Sequence, residues 1–119
     1  MSDQLPSSVQ FVKPVQTVKT KAQVLSSLYE HRQKLQDFGV ERYGVFGSFG
    51  RDRNIHPLSD VDILVSFTPE KKTFDNFMHL GFFLEDLLGR TVDLVTTESL
   101  SPHIGPHILS EVEYVSTGS

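Results

Sequence analysis

The sequence predicts an α/β or α+β domain, with helices packed on a small mixed β-sheet. Two long segments place apolar residues at helical spacing, and three short segments are apolar and rich in β-branched or aromatic residues. In chain order the elements read helix, strand, short helix, strand, helix, strand, helix, an order that packs helices on one sheet. The length of 119 residues suits a single domain, assigned to residues 20–116, whose core can stand without covalent staples.

Residues 1–19 are polar, carry two prolines and show no clear period, so they are expected to form a flexible N-terminal arm. Thr20 followed by Gln23 has the form of a capping box. Val24, Leu25, Leu28, Leu35 and Phe38 then recur at helical spacing, which predicts a helix over roughly Lys21 to Asp37, stopped by Gly39. Tyr43, Val45 and Phe46 form a short strand after Val40, and Gly47 ends it. Gly47 to Arg51 make a turn that enters a short helix, and Asn54 to Ser59 is loop around Pro57. Val61 to Phe67, VDILVSF, is a strand broken by Thr68 and Pro69.

Thr73 can cap a second long helix, Phe74 to Leu88, which Gly89 stops. Its apolar residues cover more than one face, so burial on most sides is expected. Thr91 to Thr96, TVDLVT, is a third strand. In the tail, ESLSPHIGPHILSEVEYV, breakers alternate with apolar residues, which predicts short helical turns and an extended Val112 to Val115. No internal repeat or second-domain linker is visible.

Composition narrows the function classes. Hydrophobic residues at 38% and charged residues at 22% are ordinary for a soluble globular protein. With no cysteine, neither a disulfide framework nor a thiolate metal site is available. No apolar run reaches membrane-spanning length and the N-terminus lacks a signal-peptide pattern, so no membrane association and a cytoplasmic location are expected. A net charge of −4 does not suit broad nucleic-acid binding, and no direct sequence-specific nucleic-acid contact is expected. A nucleotide substrate remains open, because metal ions neutralise phosphate locally.

The acidic residues carry the strongest signal. Side chains alternate along a strand, so Asp60, Asp62, Leu64 and Ser66 share one face while Val61, Ile63, Val65 and Phe67 share an apolar one. Two carboxylates about 5 Å apart repel by roughly 3 kcal/mol at an intermediate dielectric. A divalent cation offsets that, and magnesium favours carboxylate oxygens together with phosphate and water. Asp93 interrupts the third strand in the same way, although aspartate is disfavoured in strands. On neighbouring strands, Asp60, Asp62 and Asp93 could hold one or two Mg2+ ions and activate a hydroxyl. Read singly, each could equally cap a loop or face solvent. Ahead of them, Gly47 and Ser48 follow a strand and open a helix, a setting in which backbone amides and a hydroxyl can meet phosphate. Arg51 could contact a phosphate or pair with a nearby carboxylate. No Gly-Lys-Ser/Thr follows, so this is not a Walker A loop.

Taken together, Gly47-Ser48, Asp60-x-Asp62 and a later Asp93 resemble the nucleotidyltransferase superfamily that includes DNA polymerase beta. With FFLEDLLGRTVDLVT and the short chain, the sequence looks like a minimal nucleotidyltransferase (MNT), the proteins usually encoded beside a HEPN-domain partner. The similarity runs from about Val40 to Val115. The RDRNIHPLS loop makes the Ser48–Asp60 spacing one residue longer than is usual in that family, an extension that a loop tolerates when both ends hold their places.

The resemblance implies a polymerase beta-like nucleotidyltransferase fold. It gives Gly47 and Ser48 the nucleotide phosphates, Asp60 and Asp62 the magnesium, and Asp93 the completion of the metal site with a role as general base. It implies ATP as substrate, Mg2+ as cofactor, and transfer of AMP to a tyrosine hydroxyl of a HEPN toxin, with this chain as antitoxin. Two alternatives stand beside it: an antitoxin that neutralises its partner by binding with little catalysis, and a nucleotidyltransferase acting on a small-molecule acceptor.

Weaker signals take ordinary readings. His103 and His107 have a zinc-compatible spacing, but Pro102, Gly105 and Pro106 argue against a regular helix there. His31, His56 and His79 are expected to be exposed. Glu85 and Asp86 are expected on a solvated edge, and Lys71 and Lys72 in solvent. Phe74, Phe77, Phe82 and Phe83 read as core or interface, and such a crowded apolar helix fits a homo-oligomer or a partner contact.

Overall fold

Two threonines set where the long helices begin. The computed structural model describes residues 17–100, 103 and 105–118, so residues 1–16 of the expected arm lie outside the described part. Within it the elements are α1 (Lys21–Glu30), α2 (Arg32–Asp37), β1 (Val40–Phe46), α3 (Gly47–Arg51) and β2 (Val61–Phe67), followed by α4 (Phe74–Leu88), β3 (Val92–Thr96), α5 (Gly105–Glu111) and β4 (Val115–Ser116). Single 3-10 turns lie at Pro69–Lys71 and Thr97–Ser99. The Thr20 hydroxyl accepts the Gln23 N–H at 3.1 Å, and the Gln23 side chain takes the Lys19 N–H at 2.6 Å, one residue before the usual capping-box partner. The Thr73 hydroxyl accepts the Asn76 N–H at 3.2 Å. The Asn76 side chain also donates to Phe38 O and Lys71 O, which ties the end of α2 to the start of α4.

The long first helix expected from the sequence is two helices. His31 separates them: its N–H is shared between Ser27 O and Leu28 O, and its imidazole Nδ1 lies 2.9 Å from Ser27 O. The ring also meets Phe83 edge-on, so His31 is half-buried rather than exposed as expected.

The described strands form one mixed sheet in the order β3-β2-β1-β4. β1 runs antiparallel to β2 and β4, while β2 and β3 are parallel and joined through α4. Tyr43 and Val45 of β1 and Val61, Ile63 and Val65 of β2 join the core with Leu28 and Leu35 of the first two helices and Leu80, Leu84 and Leu88 of α4. Val18, in the stretch read as arm, is buried with them, and its N–H donates to Leu88 O at 3.0 Å.

The second face of β2 is covered as well. Leu64 and Ser66 are buried, and Gly44 stands opposite Leu64 in the ladder. A Cβ on Gly44 would overlap Val112, so the absence of a side chain there lets the C-terminal segment lie against the sheet. The tail enters the sheet at Val115–Ser116, later than the Val112–Val115 stretch expected. Thr117 then donates its hydroxyl to Val40 O at 2.6 Å.

Helix α4 corrects a second expectation. Leu80, Leu84 and Leu88 are its buried residues, whereas Phe74 is 72% exposed, Phe82 56% and Met78 39%. The core takes one stripe, and a second apolar stripe at i, i+4, i+8 faces outward. Among the described residues, no helix is long and apolar enough to cross a membrane.

Candidate active site

The parallel pairing of β2 and β3 builds the site. Asp62 is the second residue of β2 and Asp93 the second of β3, and the ladder sets them directly opposite each other. On the other side Asp62 faces Phe46, the last residue of β1, after which the chain turns into α3. The β1–α3 turn and both strand starts therefore meet at one end of the sheet. Asp60 precedes β2 by one residue and is exposed, as is Asp93, while Asp62 is half-buried.

The charges are not balanced there. Burial pushes the Asp62 carboxyl up to about 6, the Asp93 and Asp60 charges and a hydrogen bond with Asp93 add to this, and the Arg51 charge opposes it. The Arg51 charge acts on Asp62, and its sequence leaves a phosphate contact open beside that. Among the described residues, no three His, Cys, Asp or Glu side chains are already gathered into a metal-holding group. Asp62 and Asp93 are paired, and Asp60 reaches them through its charge. A magnesium ion takes one or two protein carboxylates and completes its shell with phosphate oxygens and water, so this all-oxygen, negative set fits such an ion with a nucleotide present.

The raised carboxyl makes a pH prediction. The value in the folded protein lies above the unfolded one of 3.8, so the native state holds the proton more tightly. That contribution to stability is fully present below about pH 4 and is lost as pH rises past about 6. Metal-free Asp62→Asn is therefore expected to melt above the wild type at pH 7, with the gap closing toward pH 4. Thermal melts in EDTA across that range measure it; equal melting temperatures at pH 7 would refute the buried repulsion.

Gly47 sits against this carboxylate. Its φ is +67°, and a Cβ there would overlap Asp62 Oδ2. The sequence suggested a glycine for close approach to phosphate; the structure adds that Asp62 itself occupies the space. Ser48 is the second residue of α3, half-buried, and α3 begins without a side-chain cap. Asp52 closes α3 in the left-handed region (φ +55°) and accepts the Lys21 N–H at 3.0 Å, which joins α3 to α1.

Two residues matter more than their sequence context indicated. Glu85 is not on a solvated edge: it is half-buried and accepts the Val92 N–H at 3.0 Å, holding the start of β3. Arg90 follows the helix-ending Gly89 and looks like an ordinary surface cation. Its guanidinium instead donates to Val18 O, His56 O, Pro57 O and Ser59 O and lies 5.1 Å from the Phe49 ring centre. Neither has a sequence signature, since their partners are backbone groups brought close only by folding. Other weaker signals stay apart from the site. Lys72 pairs with Glu98 at 3.4 Å, and His103 and His107 are exposed.

Known proteins share this sequence pattern and fold. A family profile described as a nucleotidyltransferase domain matches residues 28–115. The protein adenylyltransferase MntA of Thermococcus cleftensis is 43% identical over 97 residues, covering 81% of this chain and 96% of that protein. A solved structure described as a candidate minimal nucleotidyltransferase superposes with a TM-score of 0.66 at 33% identity, covering 76% of this chain and 92% of the other. A toxin–antitoxin structure, MntA–HpeT, shares the fold with a TM-score of 0.56 at 18% identity, covering 80% of this chain and 70% of the other.

Proposed function

This chain belongs to the nucleotidyltransferase domain family, and we propose that it transfers AMP from ATP to a tyrosine hydroxyl of a partner HEPN toxin, silencing it as an antitoxin. The observation that carries this reading is the in-register pairing of Asp62 with Asp93, with the Asp62 carboxylate set directly against the Gly47 turn that opens α3. The 43% identity to a protein adenylyltransferase, over 96% of its length, supports a protein as acceptor. A cytoplasmic setting supplies both ATP and magnesium.

Gly47 and Ser48 would receive the phosphates, with the Arg51 cation close by. Asp60 and Asp62, with Asp93, would hold Mg2+, which supplies charge neutralisation to the phosphate oxygens when bound. Asp93, exposed on the edge strand, would accept the proton of the attacking hydroxyl. The acceptor oxygen then bonds to the α-phosphorus, the α–β bridging bond breaks, and pyrophosphate leaves. A bound cation would offset the repulsion that Asp93 and Asp60 exert on the Asp62 carboxyl. The outward stripe of Phe74, Met78 and Phe82 offers apolar surface for a protein partner or a second copy of the chain.

Mixing the protein with the proposed HEPN partner, ATP and magnesium is expected to add the mass of AMP to that partner, as read by intact-mass spectrometry. A complex that forms with no mass change would support neutralisation by binding. Labelling of a small molecule in an acceptor screen, with none of the protein, would move the activity to a different acceptor class.

A further inference from the structure

We propose that Arg90 is a positioning residue that locks the two halves of the site to each other. It deepens the proposed nucleotidyl-transfer reading and rests on it. The halves are joined by an irregular loop: α3 with Gly47 and Ser48 lies on one side, and the approach to Asp60 on the other. Arg90 touches both. Its guanidinium Nη1 donates to His56 O at 3.0 Å, Pro57 O at 3.2 Å and Ser59 O at 3.0 Å, and Ser59 is the residue directly before Asp60. The same planar group lies 5.1 Å from the ring centre of Phe49, which is fully buried two residues after Gly47. Its Nε donates to Val18 O at 2.7 Å, fixing the entry of the chain into the domain.

The loop is anchored at Ile55, which packs against the core, and beyond it the backbone turns on itself. The turn at residues 56–59 closes on itself, with His56 N–H donating to Ser59 Oγ and Ser59 N–H to His56 O, both at 2.9 Å. Such a turn keeps its own shape but says nothing about where it sits. Arg90 supplies that reference, from the joint between α4 and β3, three residues before Asp93. Val61 N–H donates to Thr91 O at 3.0 Å, so the chain on both sides of Asp60 is pinned to the same joint. A guanidinium suits the task because Nη1 serves the loop while Nε reaches Val18 O and the planar face lies over the Phe49 ring. A lysine keeps the charge but has one nitrogen for both directions and no planar face to stack.

Three measurements test the proposal: Mn2+ affinity of the protein with a non-hydrolysable ATP analogue present, AMP transfer to the proposed HEPN partner, and thermal stability. Arg90→Lys, assayed well below its melting temperature, is expected to bind Mn2+ about tenfold or more weakly and to lose transfer to a similar degree. Leu35→Ala, a core truncation on α2, is expected to lower the melting temperature without changing Mn2+ affinity. Arg90→Ala is expected to regain part of both activities when guanidinium is added at a non-denaturing concentration, and none with an equal amount of sodium salt. Arg90→Lys with wild-type Mn2+ affinity and transfer overturns the proposal, as does an equal loss in Leu35→Ala. Wild-type protein that binds no Mn2+ overturns the metal reading together with it. Wild-type protein that binds Mn2+ but transfers no AMP removes the acceptor assignment, and the Mn2+ comparison still decides the role of Arg90.

Discussion

Replacing Asp60 and Asp62 together with alanine is expected to lower AMP transfer by about a thousandfold or more while the fold and the partner complex survive. The magnitude follows from what the pair would hold. A divalent cation at a transferring phosphoryl group stabilises developing charge by several kcal/mol, and each 1.4 kcal/mol is about tenfold in rate. Survival of the fold follows from the electrostatics. Asp60 is exposed and lies outside β2, and Asp62 is a half-buried carboxyl raised by burial and by its acidic neighbours. Removing both relieves repulsion and leaves the apolar face of β2 untouched. The double variant should therefore melt no lower than the wild type without metal, a common pattern where an active site stores unfavourable charge. Steady-state transfer, gel filtration with the proposed HEPN partner and a thermal melt give the three readouts. Transfer within about tenfold of the wild type would exclude a catalytic role for these carboxylates. If transfer falls but toxin neutralisation persists, the chain acts mainly by binding.

The fold was legible where one periodicity governed a whole segment. β2 and α4 begin and end where the alternating and helical patterns placed them, because each meets the core along one unbroken face. The break at His31 was not legible, since it comes from an imidazole against the Ser27 carbonyl and an aromatic contact with α4. The expectation that α4 is buried on most sides failed at Phe74 and Phe82 for a different reason. An apolar helix surface has the same composition whether the rest of the domain or another molecule covers it. In the site, Asp62 and Asp93 could be read because charge in the middle of an apolar strand is costly and must be explained. The expectation that they face each other held because β2 and β3 are parallel neighbours in register. Arg90 and Glu85 were not readable: an arginine that binds four backbone carbonyls and a glutamate that holds one strand amide look like any other helix-end charges.

Gly47→Ala is expected to reduce transfer by about a hundredfold and to destabilise the fold, through two separable causes. The first is backbone strain. Gly47 has φ +67°, and a side chain in the left-handed region costs roughly 1–2 kcal/mol. The second is space. The new methyl would overlap Asp62 Oδ2, and the carboxylate must swing aside to admit it. Swinging Asp62 moves it relative to Asp93, and a displacement of about 1 Å at a reacting centre can cost on the order of a hundredfold in rate. A double-mutant cycle separates the two causes. With Asp62 shortened to alanine the overlap disappears and the backbone strain stays, so Gly47→Ala should cost less stability in the Asp62→Ala background than in the wild type. Denaturant unfolding of the four proteins measures that difference. An equal cost in both backgrounds would mean that Asp62 does not fill the space beside Gly47, and the close approach of turn and carboxylate, on which the phosphate and metal assignments both depend, would be lost.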